Sequence, residues 1–569
     1  MFAATATVAA PSAFKWRPYQ ADALDAAERV LREPGANPIV VLPTGSGKGP
    51  ISAEIARRFI AATGQRVIVA THIKELVAQN FKQARRVAPR LSAGIFSASL
   101  GRKDRHGDIT VANVQSIAGH ARFFPKVGLL IIDEAHLLAH GDEGQYHDLI
   151  KGLRANRPDL HVVGLTATPW RTNSGNLTEP YKGMQPLFNE VAYEIGIGEL
   201  MAEGWLTRLV GMPTRTQQSV AGVHVRGGEY KPNELDAAVN TDPLNEAITE
   251  EALQSIGNRS RILDFCVSVD HARRVAETWK RRGISAAFVA SDTKLMLPQE
   301  RDRVISAFKA GRIRVLANCG ILTTGFDDPY VDCIVHRRPT PSPGLFLQIC
   351  GRGTRVAYAD GYDLETRDGR LAAIANGQKP NCLMLDFAGN VRRHGHVDKV
   401  RGVHKSGKAN PDDDLVECPS CRAYNAKEDT NCINCGIELP RSGGGGATSA
   451  DKEAKLLSRN VAGDVMTGGL QEFPVLGMRF SAHNKPGSPP TLKLSFRVPN
   501  EPWPVTQWLC LEHEGWVQKK ARQQWRQFAG TSPPRSVEEA LQRADELKYP
   551  TRIWARREGN FWVIEGLKF

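Results

Sequence analysis

The run Pro43-Thr44-Gly45-Ser46-Gly47-Lys48 has the residues to hold a polyphosphate. Its glycines let the backbone curl until several amides point at phosphate oxygens, and a helix starting there adds the positive potential of its N-terminus. Lys48 is placed to reach the β- and γ-phosphates of a nucleoside triphosphate such as ATP. The residue after such a lysine is expected to be Ser or Thr, whose hydroxyl binds Mg2+. Here it is Gly49, followed by Pro50. Either water or another hydroxyl (Thr44, Ser46 or Ser52) completes the metal shell, or magnesium is held mainly by acidic residues downstream.

Those acidic residues are Asp133 and Glu134, in Asp133-Glu134-Ala135-His136 directly after the apolar run Leu129-Leu130-Ile131-Ile132. A strand ending in Asp-Glu presents one carboxylate to Mg2+ and the next to an attacking water as general base. Alone such a pair is weak evidence. It gains force about 85 residues after the phosphate loop.

A second metal is implied near the other end. Cys418-Pro419-Ser420-Cys421 and Cys432-Ile433-Asn434-Cys435 are separated by ten residues. Two Cys-x-x-Cys knuckles supply four thiolates in tetrahedral geometry, and Zn2+ is the usual occupant. With no fifth ligand or open position evident, the expectation is a structural zinc ribbon. The other six cysteines are scattered, which points to an intracellular protein rather than a disulfide framework.

Positioning these groups requires strands that alternate with helices. Strands are expected at Ile39 to Leu42, Val67 to Ala70, Ile109 to Val111, Leu129 to Ile132 and Val162 to Leu165, with helices from Ile51 to Ala62 and from Lys74 to Arg86. After a less regular bridge the pattern restarts. Strands follow at Ile262 to Cys266, Ala286 to Ala290, Ile313 to Ala317, Cys333 to Val335 and Leu383 to Phe387, with helices at His271 to Arg281 and Glu300 to Lys309. Such alternation implies parallel sheets covered on both faces, so the chain reads as two α/β domains in tandem.

Beyond Gly402 the composition turns polar, and the four consecutive glycines within Ser442 to Ser449 make a flexible tether. The segment from Ala450 to Phe569 reads as a small α+β module, with strands near Leu492 to Val498 and Phe561 to Glu565 and helices near Val517 to Phe528 and Val537 to Leu547. Its tryptophans (503, 508, 516, 525, 554 and 562) stand among basic residues and could stack bases, although most are expected in the core. Glu512, Glu514 and Lys519 faintly suggest a nuclease, but no Pro-Asp arrangement precedes them.

Hydrophobic residues make up 41% and charged residues 24%, the balance of a globular chain, and a formal net charge of +13 favours a polyanionic partner. There is no apolar run long enough to span a membrane. Met1 to Ala10 is rich in Ala and Thr, without the apolar core of a signal peptide, so a disordered tail over 1–15 and a cytoplasmic location, in a bacterium or a phage-infected cell, are expected.

Taken in order, the motifs resemble superfamily 2 helicases of the DEAH-box type, over about Trp16 to Gly389. They are similar to the branch of restriction-enzyme motor subunits and of phage or prophage helicases. Arg17-Pro18-Tyr19-Gln20 resembles a motif in which Gln20 reads the adenine edge. Ala70-Thr71-His72 and Gln115-Ser116 resemble motifs that grip the strand backbone. Leu165-Thr166-Ala167-Thr168-Pro169 resembles the motif coupling hydrolysis to domain movement, with His136 beside it. Thr323-Thr324-Gly325-Phe326-Asp327 and Gln348-Ile349-Cys350-Gly351-Arg352-Gly353-Thr354-Arg355 resemble two motifs of the second domain.

The resemblance implies RecA-like domains at 16–205 and 206–402, then a zinc ribbon at 410–440, a linker at 441–449 and an accessory module at 450–569. It implies catalytic roles for Lys48, Asp133, Glu134, Gln348, Arg352 and Arg355. Nucleotide contacts would come from Arg17, Gln20, the loop Pro43 to Gly49, Gly325 and Asp327, and strand contacts from Thr71, His72, Gln115, Ser116, Thr323 and Thr324. Arg352 and Arg355 would meet the γ-phosphate from across the cleft, so that closure follows ATP state. DNA is the expected partner, with replication or repair proteins as further ones. An RNA helicase and a nucleotide-gated recruitment subunit that unwinds little remain open.

Overall fold

The computed structural model describes residues 14–33, 35–138, 143–171, 175–212, 214–292, 294–395, 397, 400, 415–417, 424–426, 437–439, 463–464, 470–484, 488–499, 504–514, 516–558 and 561–569. The four cysteines of the expected zinc ribbon, the glycine linker and residues 1–13 of the expected tail lie outside the described residues.

The first lobe is a twisted sheet built from β1 (Pro38–Val41), β2 (Arg66–Thr71), β3 (Ala93–Ser97), β4 (Arg102–Lys103), β5 (Ile109–Asn113), β6 (Val127–Asp133), β7 (His161–Thr166) and β8 (Glu190–Glu194). Their spatial order is β8-β1-β7-β6-β2-β5-β3-β4, and every pair is parallel except β3 with β4. The central strands β1 and β6 are buried along their whole length, as unbroken apolar runs must be when helices cover both faces. Helices α1 (Pro18–Leu31), α2 (Lys48–Thr63), α3 (Lys74–Val87) and α4 (Gln145–Asn156) supply that cover. Helix α2 stops at Gly64, whose φ of 68° gives the left-handed cap that a β-carbon disfavours.

The order places three loops side by side at the carboxyl edge. The turn after β1 carries the phosphate-type loop, β7 ends at Thr166 and β6 ends at Asp133. Ligands of open parallel sheets bind at that edge.

The second lobe repeats the plan with β9 (Leu209–Met212), β10 (Ile262–Phe265), β11 (Ala286–Val289), β12 (Val315–Asn318), β13 (Cys333–His336) and β14 (Cys382–Asp386), ordered β11-β12-β10-β13-β14-β9 and all parallel. Helices α5 (Asp242–Ile256), α6 (Val269–Arg281), α7 (Pro298–Lys309) and α8 (Pro343–Cys350) belong to it. A short strand, Gly463–Asp464, lies antiparallel on β9 at the sheet edge. At the centre Arg337 Nε donates to the Asp264 carboxylate at 3.0 Å, and Trp279 Nε1 donates to the same group at 2.9 Å. Arg337 and Asp264 are wholly excluded from solvent.

Strands β3, β8 and β9, at or next to the sheet edges, are not marked by the sequence pattern. Each is short and carries glycine or charge, so the apolar signal of a buried strand is missing.

Residues beyond 470 form two three-stranded antiparallel sheets with a helix at Trp516–Ala529. The single helix expected from Val537 to Leu547 is instead Val537–Gln542 followed by a separate turn at Ala544–Glu546. Trp525 and Trp554 are core residues of this part, whereas Trp508 is exposed beside His483, with Lys493 Nζ 5.2 Å from its ring centre.

Candidate functional site

The loop between β1 and α2 is drawn tight by local bonds. Ser46 Oγ donates to Pro43 O at 2.7 Å, and Gly45 and Gly47 have φ values of 90° and 95°. A β-carbon on Gly47 would come within 2.5 Å of Gln20 Nε2. That amide donates to Ser46 O at 2.8 Å, Tyr19 OH donates to the same carbonyl at 2.7 Å, and Gln20 Oε1 accepts from Arg17 N at 3.2 Å. Helix α1 thus buttresses the loop through Gln20 itself. The expected base-reading residue is buried, with both ends of its amide bonded to protein.

Lys48 Nζ donates to Leu42 O at 3.2 Å and reaches toward Pro43 O at 3.5 Å, so the ammonium sits inside the curl of the loop. Across from it, Asp133 Oδ2 accepts from Asn80 Nδ2 at 2.8 Å, and Oδ1 accepts from the Glu134 amide at 3.0 Å. Burial, reinforced by the Glu134 charge, pushes the Asp133 carboxyl up to about 6, against the pull of Asn80 and Lys48. Glu134 takes a left-handed φ of 57°, uncommon outside glycine. Its Oε2 is buried without a hydrogen-bond partner, although His136 Nδ1 lies 3.4 Å away.

These features fit a magnesium-bound nucleoside triphosphate. The glycine turn is a cradle that a β-carbon would fill, a lysine lies within it, and two adjoining carboxylates include one orphaned buried oxygen. A hard oxygen set of this kind suits Mg2+. Asp133 would hold the ion and Glu134 would face the water.

His136 continues the site into both lobes. Its Nδ1 lies 3.0 Å from Thr166 Oγ1, which also donates to Thr168 O at 2.9 Å and accepts from Thr168 N at 3.1 Å. Its Nε2 lies 3.4 Å from Gln348 Nε2, on α8 of the second lobe. Burial holds the imidazole pKa below its ordinary value.

More second-lobe residues cross the seam. Thr354 Oγ1 donates to Thr44 O at 3.5 Å, and a β-carbon on Gly45 would lie 3.7 Å from Arg355 Cγ. A β-carbon on Gly351 would overlap Thr44, whose Cβ would be 2.4 Å away, so glycine is required for this approach. Arg355 pairs with Asp327, and Arg352 Nη1 donates to Phe326 O at 2.6 Å. Burial, aided by the neighbouring Arg355 charge, pushes Arg352 down to about 9 while Glu134 pulls it back up. Gly325 packs toward Glu75 of α3, its φ of 70° leaving room. The guanidiniums of Arg17 and Arg370 lie 5.0 and 3.8 Å from the centre of the Trp205 ring.

The expected strand-gripping residues divide. His72 and Gln115 are exposed and meet, Nε2 to Nε2, at 3.2 Å, while Ser116 Oγ accepts from Ala98 N at 3.0 Å. Thr324 is half-buried. Thr71, by contrast, is fully buried with its hydroxyl enclosed, and Thr323 is buried and donates to Gly320 O at 2.5 Å. Neither hydroxyl is presented at a surface, because Thr71 ends a central strand and Thr323 closes its own loop. Asn80 and Trp205 are not singled out by the sequence, because each reaches the site through packing rather than chain adjacency. Among the described residues no group of three or more His, Cys, Asp or Glu forms a metal cluster, and no helix is long and apolar enough to cross a membrane.

Comparison with known proteins agrees with this geometry. The family model described as the type III restriction enzyme res subunit matches residues 13–171, and that of the helicase conserved C-terminal domain matches residues 244–357. IRC3 of Saccharomyces cerevisiae, which carries the name of an ATP-dependent helicase, is 28% identical over 385 residues, covering 66% of this chain and 51% of its own. A 51.5 kDa protein of a Lactococcus phage is 24% identical over 420 residues, covering 70% and 77% respectively. Among solved structures, a fragment of an HsdR subunit of a type I restriction enzyme from Vibrio vulnificus aligns with a TM-score of 0.49 at 20% identity, over 69% of this chain and 68% of that one. The chain spans between half and two thirds of the first two curated relatives it matches, at 51% and 64%. With two RecA-like lobes bearing these motifs in order, the chain is similar to superfamily 2 helicases of the restriction-subunit-like branch, which the two matched models and these relatives support.

Proposed function

We propose that this chain hydrolyses ATP in the seam between its lobes and couples the reaction to movement along DNA. The observation that carries the reading is the convergence of Lys48, Asp133 and Glu134 from one lobe with Gln348, Arg352 and Arg355 from the other. Lys48 leaves its loop carbonyls for the phosphates, Glu134 accepts a proton from the attacking water, and the two arginines bring charge from the opposite lobe. Asp133 would hold Mg2+, which would supply charge neutralisation at the phosphates. Because the arginines and the phosphate loop belong to different sheets, the triphosphate and its product favour different lobe spacings, which is the basis of stepping.

DNA is favoured by the res-subunit model over the first lobe and by a relative named as the EcoAI endonuclease subunit of Escherichia coli, 22% identical over 313 residues. A place in phage or prophage replication, repair or branched-DNA remodelling is part of this proposal, and the phage source of one relative supports only the phage setting. The Cys-x-x-Cys pairs support a bound Zn2+ in the segment after the second lobe.

ATP hydrolysis should be measured side by side with single-stranded DNA, duplex, forked DNA and RNA. Stimulation by a DNA form is expected. Preference for RNA would move the chain to RNA helicases, and a rate indifferent to every polymer would end the coupling reading. Lys48→Ala, Glu134→Gln and Arg352→Ala are each expected to abolish turnover with the fold retained.

A further inference from the structure

The loop lacks the hydroxyl that its position after Lys48 would normally bring, and the structure fills that place from another helix. A β-carbon at Gly49 would sit 3.3 Å from Asn80 Oδ1 and 3.3 Å from Gln83 Cγ, both on α3. The opposite end of the same carboxamide donates to Asp133 Oδ2 at 2.8 Å, and Asn80 is only 5% exposed. One planar group therefore joins the acidic strand end to the first turn of α2.

We propose that Asn80 completes the magnesium side of this nucleotide site, its Oδ1 serving where a Ser or Thr hydroxyl at position 49 would serve. The inference rests on the ATP reading above. Its chemistry is sound, since a carboxamide oxygen is a hard neutral donor of the same class as a hydroxyl. Its Nδ2 meanwhile fixes the carboxylate that would share the ion. Of the other hydroxyls only that of Ser46 is committed by a bond, and the rest are enclosed by packing. Ser46 is fully buried and bonded to Pro43 O, Thr44 packs against Gly351 of the second lobe, and the Ser52 oxygen is enclosed one turn further along α2. Gly49 and Asn80 are complementary in space: any side chain at 49 would press on Asn80 Oδ1.

The test is binding of a fluorescent ATP analogue, with Mg2+ and with EDTA, to the full chain. Asn80→Ala is expected to lose roughly tenfold or more of the affinity that Mg2+ adds, as for a hydrogen bond to a charged group. Binding in EDTA should stay near wild type, while the lost bond to Asp133 lowers the melting temperature alike with and without Mg2+. Adding Gly49→Ser to Asn80→Ala should restore the Mg2+ gain, because the space that Asn80 occupied is free, while Ser52→Ala should leave it unchanged. Full Mg2+ dependence in Asn80→Ala overturns the inference. So does an equal loss in EDTA, which would mark Asn80 as structural only. Wild-type chain that binds no nucleotide in either condition would instead remove the ATP reading, and this inference with it.

Discussion

Gln348 of the second lobe donates across the seam to His136 of the first, Nε2 to Nε2 at 3.4 Å, and only one state of the imidazole permits this. The single hydroxyl proton of Thr166 is spent on Thr168 O, so Thr166 Oγ1 must accept from His136 Nδ1. The ring therefore carries its proton on Nδ1 and offers a lone pair on Nε2, and burial favours this neutral form. Thr166, His136 and Gln348 make a continuous relay from β7 to α8, passing beside Glu134.

If this relay carries coupling, His136→Ala and Gln348→Ala should each reduce polymer-stimulated ATP hydrolysis by roughly 3- to 10-fold, the worth of one hydrogen bond. Unstimulated hydrolysis should change less. The double variant should match the worse single one, since both remove the same contact. Strictly multiplicative losses would show that the two side chains act independently.

Gly47 stands under two separate constraints. Its φ is 95°, and a β-carbon would come within 2.5 Å of the Gln20 amide that supports Ser46. Gly47→Ala is expected to cost about 1–3 kcal/mol from the backbone alone. Displacing Gln20 should in addition release the loop and weaken nucleotide binding. Thermal melting and equilibrium binding of an ATP analogue check both effects, and wild-type affinity would show that Gln20 does not support the loop.

The chemistry was legible in the sequence where it depends on neighbours along the chain. Gly45, Gly47 and Lys48 must be adjacent to form one turn, and Asp133 and Glu134 must end one strand, so spacing alone reveals them. Asn80 shows the limit. It stands 53 residues before Asp133, on a helix whose pattern reads only as amphipathic, and the packing of α3 beside α2 brings it to the site. Thr71 shows a related limit. A motif places it at a strand end, but only the sheet order, with β2 between β5 and β6, shows that its side chain is enclosed. Edge strands such as β9 carry little periodic signal, because their pairing is decided by partners distant in the chain.

Asp264 and Arg337 make a buried ion pair that nothing else could satisfy. Removing the carboxylate leaves a guanidinium without solvent, bonded only to Asn245 O and Thr249 Oγ1. Asp264→Ala should therefore destabilise the second lobe by about 3–5 kcal/mol. Urea unfolding of wild type and variant, followed by circular dichroism, reads this loss. A loss under about 1 kcal/mol would mean that water enters and the pair is not isolated.

The same lobe should be sensitive to mild acid. His271 and His336 are buried, and burial pushes each imidazole down to about 3, with Arg337 adding to it at His271 and Arg338 at His336. An unfolded chain protonates these rings near pH 6.5, so between pH 6.5 and 3 the unfolded state binds more protons than the folded one. Stability is then complete above about pH 6.5 and falls as pH drops. Both rings are enclosed by polar partners that suit a neutral ring: His271 Nε2 meets Asn245 Oδ1 at 2.9 Å, and the His336 nitrogens face Asn390 Nδ2 at 3.1 and 3.4 Å. Replacing His336 with Gln should flatten the dependence, because an amide can occupy the site without taking up a proton. Unfolding midpoints at pH 7.5, 6.5 and 5.5 for wild type and His336→Gln decide the matter, and parallel slopes for the two proteins would assign the acid sensitivity to other groups.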